Sequence, residues 1–208
     1  MKKLVSCVVG IATLAPSPAM AQLHDWRTPV ANYRVGCVYF DPIYRRTENR
    51  QHLGIDLPVR ILRDRRGRLQ PVNVISPVTG RVTRNWTNRS VNQAVLIIKE
   101  DTTRYEHVLG HITSSLRVGA TVRRGQVVGT VTRWITPNGT DNTHVHWGAN
   151  RFTVATAERT AATRRSISEL GGGEWGWGRA PSQSTTRHAF NRGWMDLINY
   201  VRGRPDCR

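Results

Sequence analysis

The chain has 208 residues, with 31 Lys or Arg against 14 Asp or Glu and a formal net charge of +17. That length suffices for one domain with a substantial core and requires no second one. The apolar run at residues 4–14 is too short to cross a bilayer as a permanent helix, so a membrane-spanning helix is excluded there.

Residues 1–21 combine Lys2 and Lys3, that apolar run and Ala19-Met20-Ala21, the layout of a secretory signal peptide with cleavage expected before Gln22. Cys7 has no apolar region before it, which argues against lipidation and leaves it a small apolar residue in a discarded segment. Cleavage leaves 29 basic residues against 14 acidic ones, formally +15, and Lys99 is the only lysine among them. Such an excess bears on partners rather than on fold and favours polyanions: nucleic acid, acidic lipid, or a cell wall bearing carboxylates and phosphates. An exported chain, periplasmic or secreted, rarely meets nucleic acid, so no nucleic-acid partner is expected. Export also makes Cys37 and Cys207 a candidate disulfide, the alternative being two separate thiols.

Residues 26–51 are irregular, with aromatic and β-branched side chains at 33–44. His52-Leu53-Gly54-Ile55-Asp56 follows. A straight strand would hold its two end residues about 13 Å apart, too far for one ion, and Gly54 offers the bend that brings them together. Strand-like runs then recur at 57–62, 72–75, 80–83, 94–99, 105–113 and 127–134. The stretches 64–67 and 137–139 between them contain the Gly and Asn that tolerate positive φ. Many short strands with frequent turns predict a mainly β, antiparallel fold. Arg60, Arg63, Arg65, Arg66 and Arg68 cluster around the first turn and read as a solvated loop, or alternatively as an anion-binding patch. His107 and His111 share one strand-like run, where a spacing of four puts them on one face. Residues 155–170 and 194–201 are the two stretches with a helical pattern, and glycines at 171–178 surround Trp175 and Trp177.

The residue types at 52–56 and 143–147 suit a catalytic zinc site, which takes three protein ligands and leaves a fourth position to water. His52, Asp56 and one of His144 and His146 would supply that set. In a strand the two histidines flanking Val145 share a face, with Cβ atoms about 7 Å apart, so one can bind metal while the other reaches the water. Spacing leaves open which does which.

Taken in order, His-x-Gly-x-Asp at 52–56, Ser76-Pro77-Val78-Thr79-Gly80-Arg81-Val82, Gly110-His111-Ile112, the Val-Gly run at 118–129 and His-x-His at 144–146 resemble the lysostaphin/LytM-type zinc endopeptidases across residues 33–150. The resemblance implies an antiparallel, barrel-sandwich-like fold built on a duplicated hybrid motif. A helical insertion at 151–193 and a closing segment at 194–208 would complete a single domain beginning at residue 22. It implies one Zn2+ per chain on His52, Asp56 and His146, with His144 and His111 catalytic. His111 rather than His107 sits at the matching place. The tyrosine usual two residues before it is Leu109 here, and the phenylalanine usual ahead of the first metal histidine is missing, with Val35-Gly36-Cys37 and Asp41-Pro42-Ile43 in similar places. The implied substrate is bacterial peptidoglycan, its stem or cross-link peptides cleaved by metal-activated water. Trp175 and Trp177 would pack on glycan or stem peptide, or else cap the core locally. His24 and His188 read as surface residues. Two rival classes remain. A non-catalytic member of the fold would bind wall and regulate an amidase, but such members lose metal or catalytic residues and all five positions are filled here. A biotinyl or lipoyl carrier would need an acceptor lysine, and Lys99 lacks the expected methionine neighbour.

Overall fold

The computed structural model describes residues 24–88, 93–103, 105–151, 178–191 and 193–207. In chain order the elements are α1 (Pro42–Glu48), β1 (Arg50–His52), β2 (Ile55–Pro58), β3 (Asn73–Ile75), β4 (Gly80–Asn88), β5 (Gln93–Glu100) and β6 (Tyr105–Thr113). They continue with β7 (Thr121–Val122), β8 (Val127–Val131), β9 (His144–Arg151), β10 (Arg179–Pro181), α2 (Thr186–Asn191) and a 3-10 turn (Ile198–Tyr200). The mainly β, antiparallel expectation holds.

Side-chain alternation explains how the sheet is covered. In β5, Leu96 and Ile98 enter the larger buried cluster while Val95 and Ile97 enter a second one on the other face. A strand buried on both faces reads as a continuous apolar run, as residues 94–98 do. In β6, Leu109 and Val108 divide in the same way. The eight-stranded sheet runs β2-β9-β6-β5-β4-β7, with β8 pairing both β3 and the end of β6, and every pairing is antiparallel. The path ends on β2 and β7, so the sheet is open. β1 and β10 form a separate two-stranded sheet.

Several local expectations change. The strand expected at 57–62 stops at Pro58, although the Val59 N–H still donates to the Thr143 carbonyl at 3.2 Å and Val59 bridges Tyr33. The one expected at 80–83 runs on to Asn88, and the one at 127–134 ends at Val131. The helix expected at 194–201 is reduced to the 3-10 turn, because Trp194 is buried and bridges Asn150 of β9 instead of continuing a helix. The helix expected at 155–170 lies outside the described residues. α1 was not anticipated, although Asp41 caps it through Oδ1, which accepts from Ile43 N at 2.8 Å, with Pro42 in the first turn. Cys37 and Cys207 are joined as a disulfide with Cα atoms 4.2 Å apart, tying the C-terminal segment to the entry of the sheet. Among the described residues no helix is long and apolar enough to cross a membrane.

Candidate metal centre

Parity along the strands creates the site. Val145, Trp147 and Ala149 of β9 face the larger core, which leaves His144 and His146 on the opposite face. Ile55 and Leu57 of β2 enter the same core, so Asp56 also points away from it. Asp56 and His146 are direct partners in the ladder, and Gly110 of β6 stands opposite His146 on its other side. His52 arrives from the two-stranded sheet, after which the chain bends through Leu53-Gly54 into β2, as expected from Gly54. A second reason for glycine emerges here. A Cβ at residue 54 would lie 2.5 Å from the Trp147 carbonyl oxygen and 2.9 Å from the His146 ring, so no side chain fits.

The structure brings His52, Asp56 and His146 together, all buried. His52 Nε2 is 2.9 Å from His146 Nδ1, and each of these nitrogens is 3.1 Å from Asp56 Oδ1. The Nδ1–H of His52 donates to the Val38 carbonyl at 2.9 Å, so in the neutral ring the Nε2 lone pair faces the other two groups. Two imidazole nitrogens and one carboxylate oxygen form a near-equilateral triangle. Its edges approach the roughly 3.3 Å between ligand atoms that tetrahedral zinc requires at Zn–N distances near 2.0 to 2.1 Å. The donor set therefore fits zinc. Among the described residues it is the only such cluster of three.

The electrostatics favour a carboxylate at Asp56 and a neutral ring at His146, while at His52 they favour the proton that a bound cation would displace. Burial works against ionising Asp56, but the His52 and His144 imidazoles outweigh it and hold the carboxyl well below the usual range. Burial opposes protonation of His52 too, yet the Asp56 carboxylate raises it overall. His146 is pushed down to about 4 by burial, against the pull of Asp56, and is neutral at pH 7.

His144 and His111 adjoin this triangle. The Nδ1–H of His144 donates to the Asn142 carbonyl at 2.7 Å, which turns Nε2 toward Asp56 Oδ1 at 3.6 Å. His111 does not share a face with His107, contrary to the strand periodicity. The β5–β6 register slips where Ala94 pairs with Ile112 and Val95 with Gly110, making His111 the extra residue of a bulge at φ +60°. The bulge turns His111 out of the core and sets its ring 4.4 Å from that of His144, stacked at 5.1 Å on Trp134. A left-handed non-glycine residue stores strain of about 1 to 3 kcal/mol, which is common at functional positions. Burial, reinforced by His144, lowers His111 well below 6.5. His107 remains in the core, accepting the Trp147 indole N–H at 3.2 Å, and burial pushes it down to about 3.

Sequence reasoning missed three residues here. Tyr44, carried by α1, stacks on His52 with ring centroids 4.4 Å apart. Trp134 packs on both His111 and His144. Arg179 of β10 is the ladder partner of His52. Only the Asp41-Pro42 helix start hinted at any of them. Beside Asp56 and His144, a groove of about 280 Å³ is bordered by Gly36, Cys37 and Asn142. The arginine cluster is an exposed turn held by Asp64, which ion-pairs with Arg68 at 2.9 Å. His24 stacks on Trp26, and His188 lies in α2. Trp175 and Trp177 lie outside the described residues.

A model of peptidase family M23 matches residues 50–158, more than half of the chain. No curated protein matches it in sequence. Among solved structures, it is similar to Csd3 of Helicobacter pylori, with 21% identity and TM-score 0.43 over 61% of this chain and 30% of that one. It is similar to lysostaphin from Staphylococcus simulans, with 17% identity and TM-score 0.42 over 67% of this chain and 52% of that one. A zinc-containing peptidase from Vibrio cholerae matches with 19% identity and TM-score 0.41 over 61% of this chain and 36% of that one. The chain thus spans about half or less of each of these three.

Proposed function

Because this chain belongs to peptidase family M23, we propose that it is an exported zinc-dependent endopeptidase acting on the stem or cross-link peptides of bacterial peptidoglycan. The observation that carries this reading is the convergence of His52 Nε2, Asp56 Oδ1 and His146 Nδ1 within 3.1 Å of one another, with two further histidines alongside. Those three residues would hold one zinc ion. When bound, the ion supplies Lewis acidity that lowers the pKa of a water from 15.7 toward about 7.

His144 accepts the proton of the attacking water at Nε2, the nitrogen left free by its bond to Asn142. That same Nδ1–H···O bond holds the ring in position and stabilises the imidazolium that forms. His111, kept neutral, donates a hydrogen bond to the carbonyl oxygen as negative charge develops there. Oxygen bonds to the carbonyl carbon, the C–N bond breaks, and the proton held on His144 passes to the departing amine. Residues 1–21 and the Cys37–Cys207 disulfide support export to an oxidising compartment. The arginine-rich charge is compatible with a wall carrying free carboxylates.

Metal analysis of the mature protein, combined with digestion of purified sacculi by wild type and by His144→Ala, tests this reading. One equivalent of zinc and new peptide ends released only by wild type are expected. Stoichiometric zinc with no release by wild type would instead assign the chain a scaffold role.

A further inference from the structure

Arg179 lies beyond the stretch matched by the peptidase family, and the fold returns it to the centre. β10 pairs antiparallel with β1 so that Arg179 stands directly opposite His52, and ladder partners project from the same face of a sheet. The preceding residue fixes the approach. The Gly178 carbonyl accepts Leu53 N–H at 2.8 Å, and at its φ of +74° a Cβ would meet His146 Nε2 at 2.2 Å, so only glycine passes this close to the centre. The Arg179 guanidinium lies near the hydroxyl of Tyr44, whose ring lies on His52 at 4.4 Å.

We propose that Arg179, together with the Tyr44 hydroxyl, binds a free carboxylate of the peptide substrate and so places the scissile bond over the His52–Asp56–His146 triangle. The inference rests on the peptidase reading and names the feature of the substrate that the site recognises. A guanidinium carries five N–H donors in a planar fork that matches a planar anion. A phenol is protonated near neutral pH, so Tyr44 offers a further donor. Arg68 and Arg124 are neutralised by Asp64 and Asp25, whereas no carboxylate ion-pairs with Arg179 among the described residues. A half-buried cation beside a metal centre is a ready receptor for a carboxylate, and carboxylates are the anions that stem peptides carry.

The probe is a set of cross-linked muropeptides solubilised from purified sacculi, used unmodified or after all carboxylates are converted to methylamides. Binding is measured by calorimetry with zinc-loaded His144→Ala, and cleavage with zinc-loaded wild type. The unmodified form should bind roughly 10- to 100-fold more tightly than the amide, as expected for a hydrogen bond to a charged group. Adding Arg179→Gln should abolish that preference and Arg179→Lys should restore part of it. Equal binding of acid and amide overturns the inference without using any Arg179 variant, as does a preference that survives Arg179→Gln. Wild type that cleaves both forms equally well overturns the inference and leaves the peptidase reading standing. Wild type that cleaves neither, with Arg179-dependent binding of the acid intact, overturns only the peptidase reading.

Discussion

The carbonyl oxygen of Cys37 accepts the backbone N–H of Asp56 at 2.8 Å, and the next carbonyl along, Val38, accepts His52 Nδ1–H at 2.9 Å. The disulfide to Cys207 therefore anchors the segment that orients two of the three centre residues. Reduction, or Cys207→Ser, should lower stability by about 2 to 5 kcal/mol. Loss of this outer support should weaken zinc affinity by roughly 10- to 100-fold. Denaturant titration and chelator competition, with the free thiols counted, measure both. Unchanged zinc affinity in the fully reduced protein would refute the coupling.

His52→Ala, Asp56→Ala and His146→Ala should each leave zinc substoichiometric and abolish cleavage. Stripping zinc from wild type should lower its melting temperature, and zinc restored to 100 times its Kd should return about 2.7 kcal/mol. Metal analysis and thermal scans at fixed protein concentration decide it. A variant of this set that still held one equivalent would remove that residue from the ligand set.

His144→Ala and His111→Ala should keep their zinc yet lose about 10²- to 10⁴-fold in kcat/KM, the usual contribution of a positioned proton-transfer group. The bulge conformation separates stability from activity at residue 111. Glycine adopts its φ of +60° without penalty, so His111→Gly should be about 1 kcal/mol more stable than His111→Ala while being equally inactive. Chemical denaturation of the pair checks this. A glycine variant no more stable than the alanine would contradict the strain.

His107 supplies a pH dependence away from the centre. Burial holds its folded pKa down to about 3, against 6.5 for an ordinary histidine. The unfolded chain thus takes up a proton that the folded one refuses. Stability is full above the unfolded value and falls as acidity increases from about pH 6.5 to about pH 3, with a slope near 1.4 kcal/mol per pH unit. His107→Phe should be less stable at pH 7, because the Trp147 N–H loses its acceptor, but its acid slope should be shallower by about one proton. Unfolding free energies from pH 7 to pH 4 test this, and an unchanged slope would count against it.

Much of the site was legible in the chain because ligand chemistry is written in residue types and strand parity in spacing. His52, Asp56 and His-x-His are residue types able to coordinate zinc, and the alternation of Val145, Trp147 and Ala149 with His144 and His146 already sorts one face of β9 from the other. The need for a bend at Gly54 followed from the reach of an extended chain. Tertiary structure decided the rest. His107 and His111 have the same parity along β6, and only a register slip against β5 sends one into the core and the other to His144. Tyr44 and Arg179 reach His52 through a capped helix and a strand returning from more than 120 residues away. No local pattern encodes such meetings, because a β-ladder pairs residues by the register that buries the most apolar surface, whatever their separation along the chain.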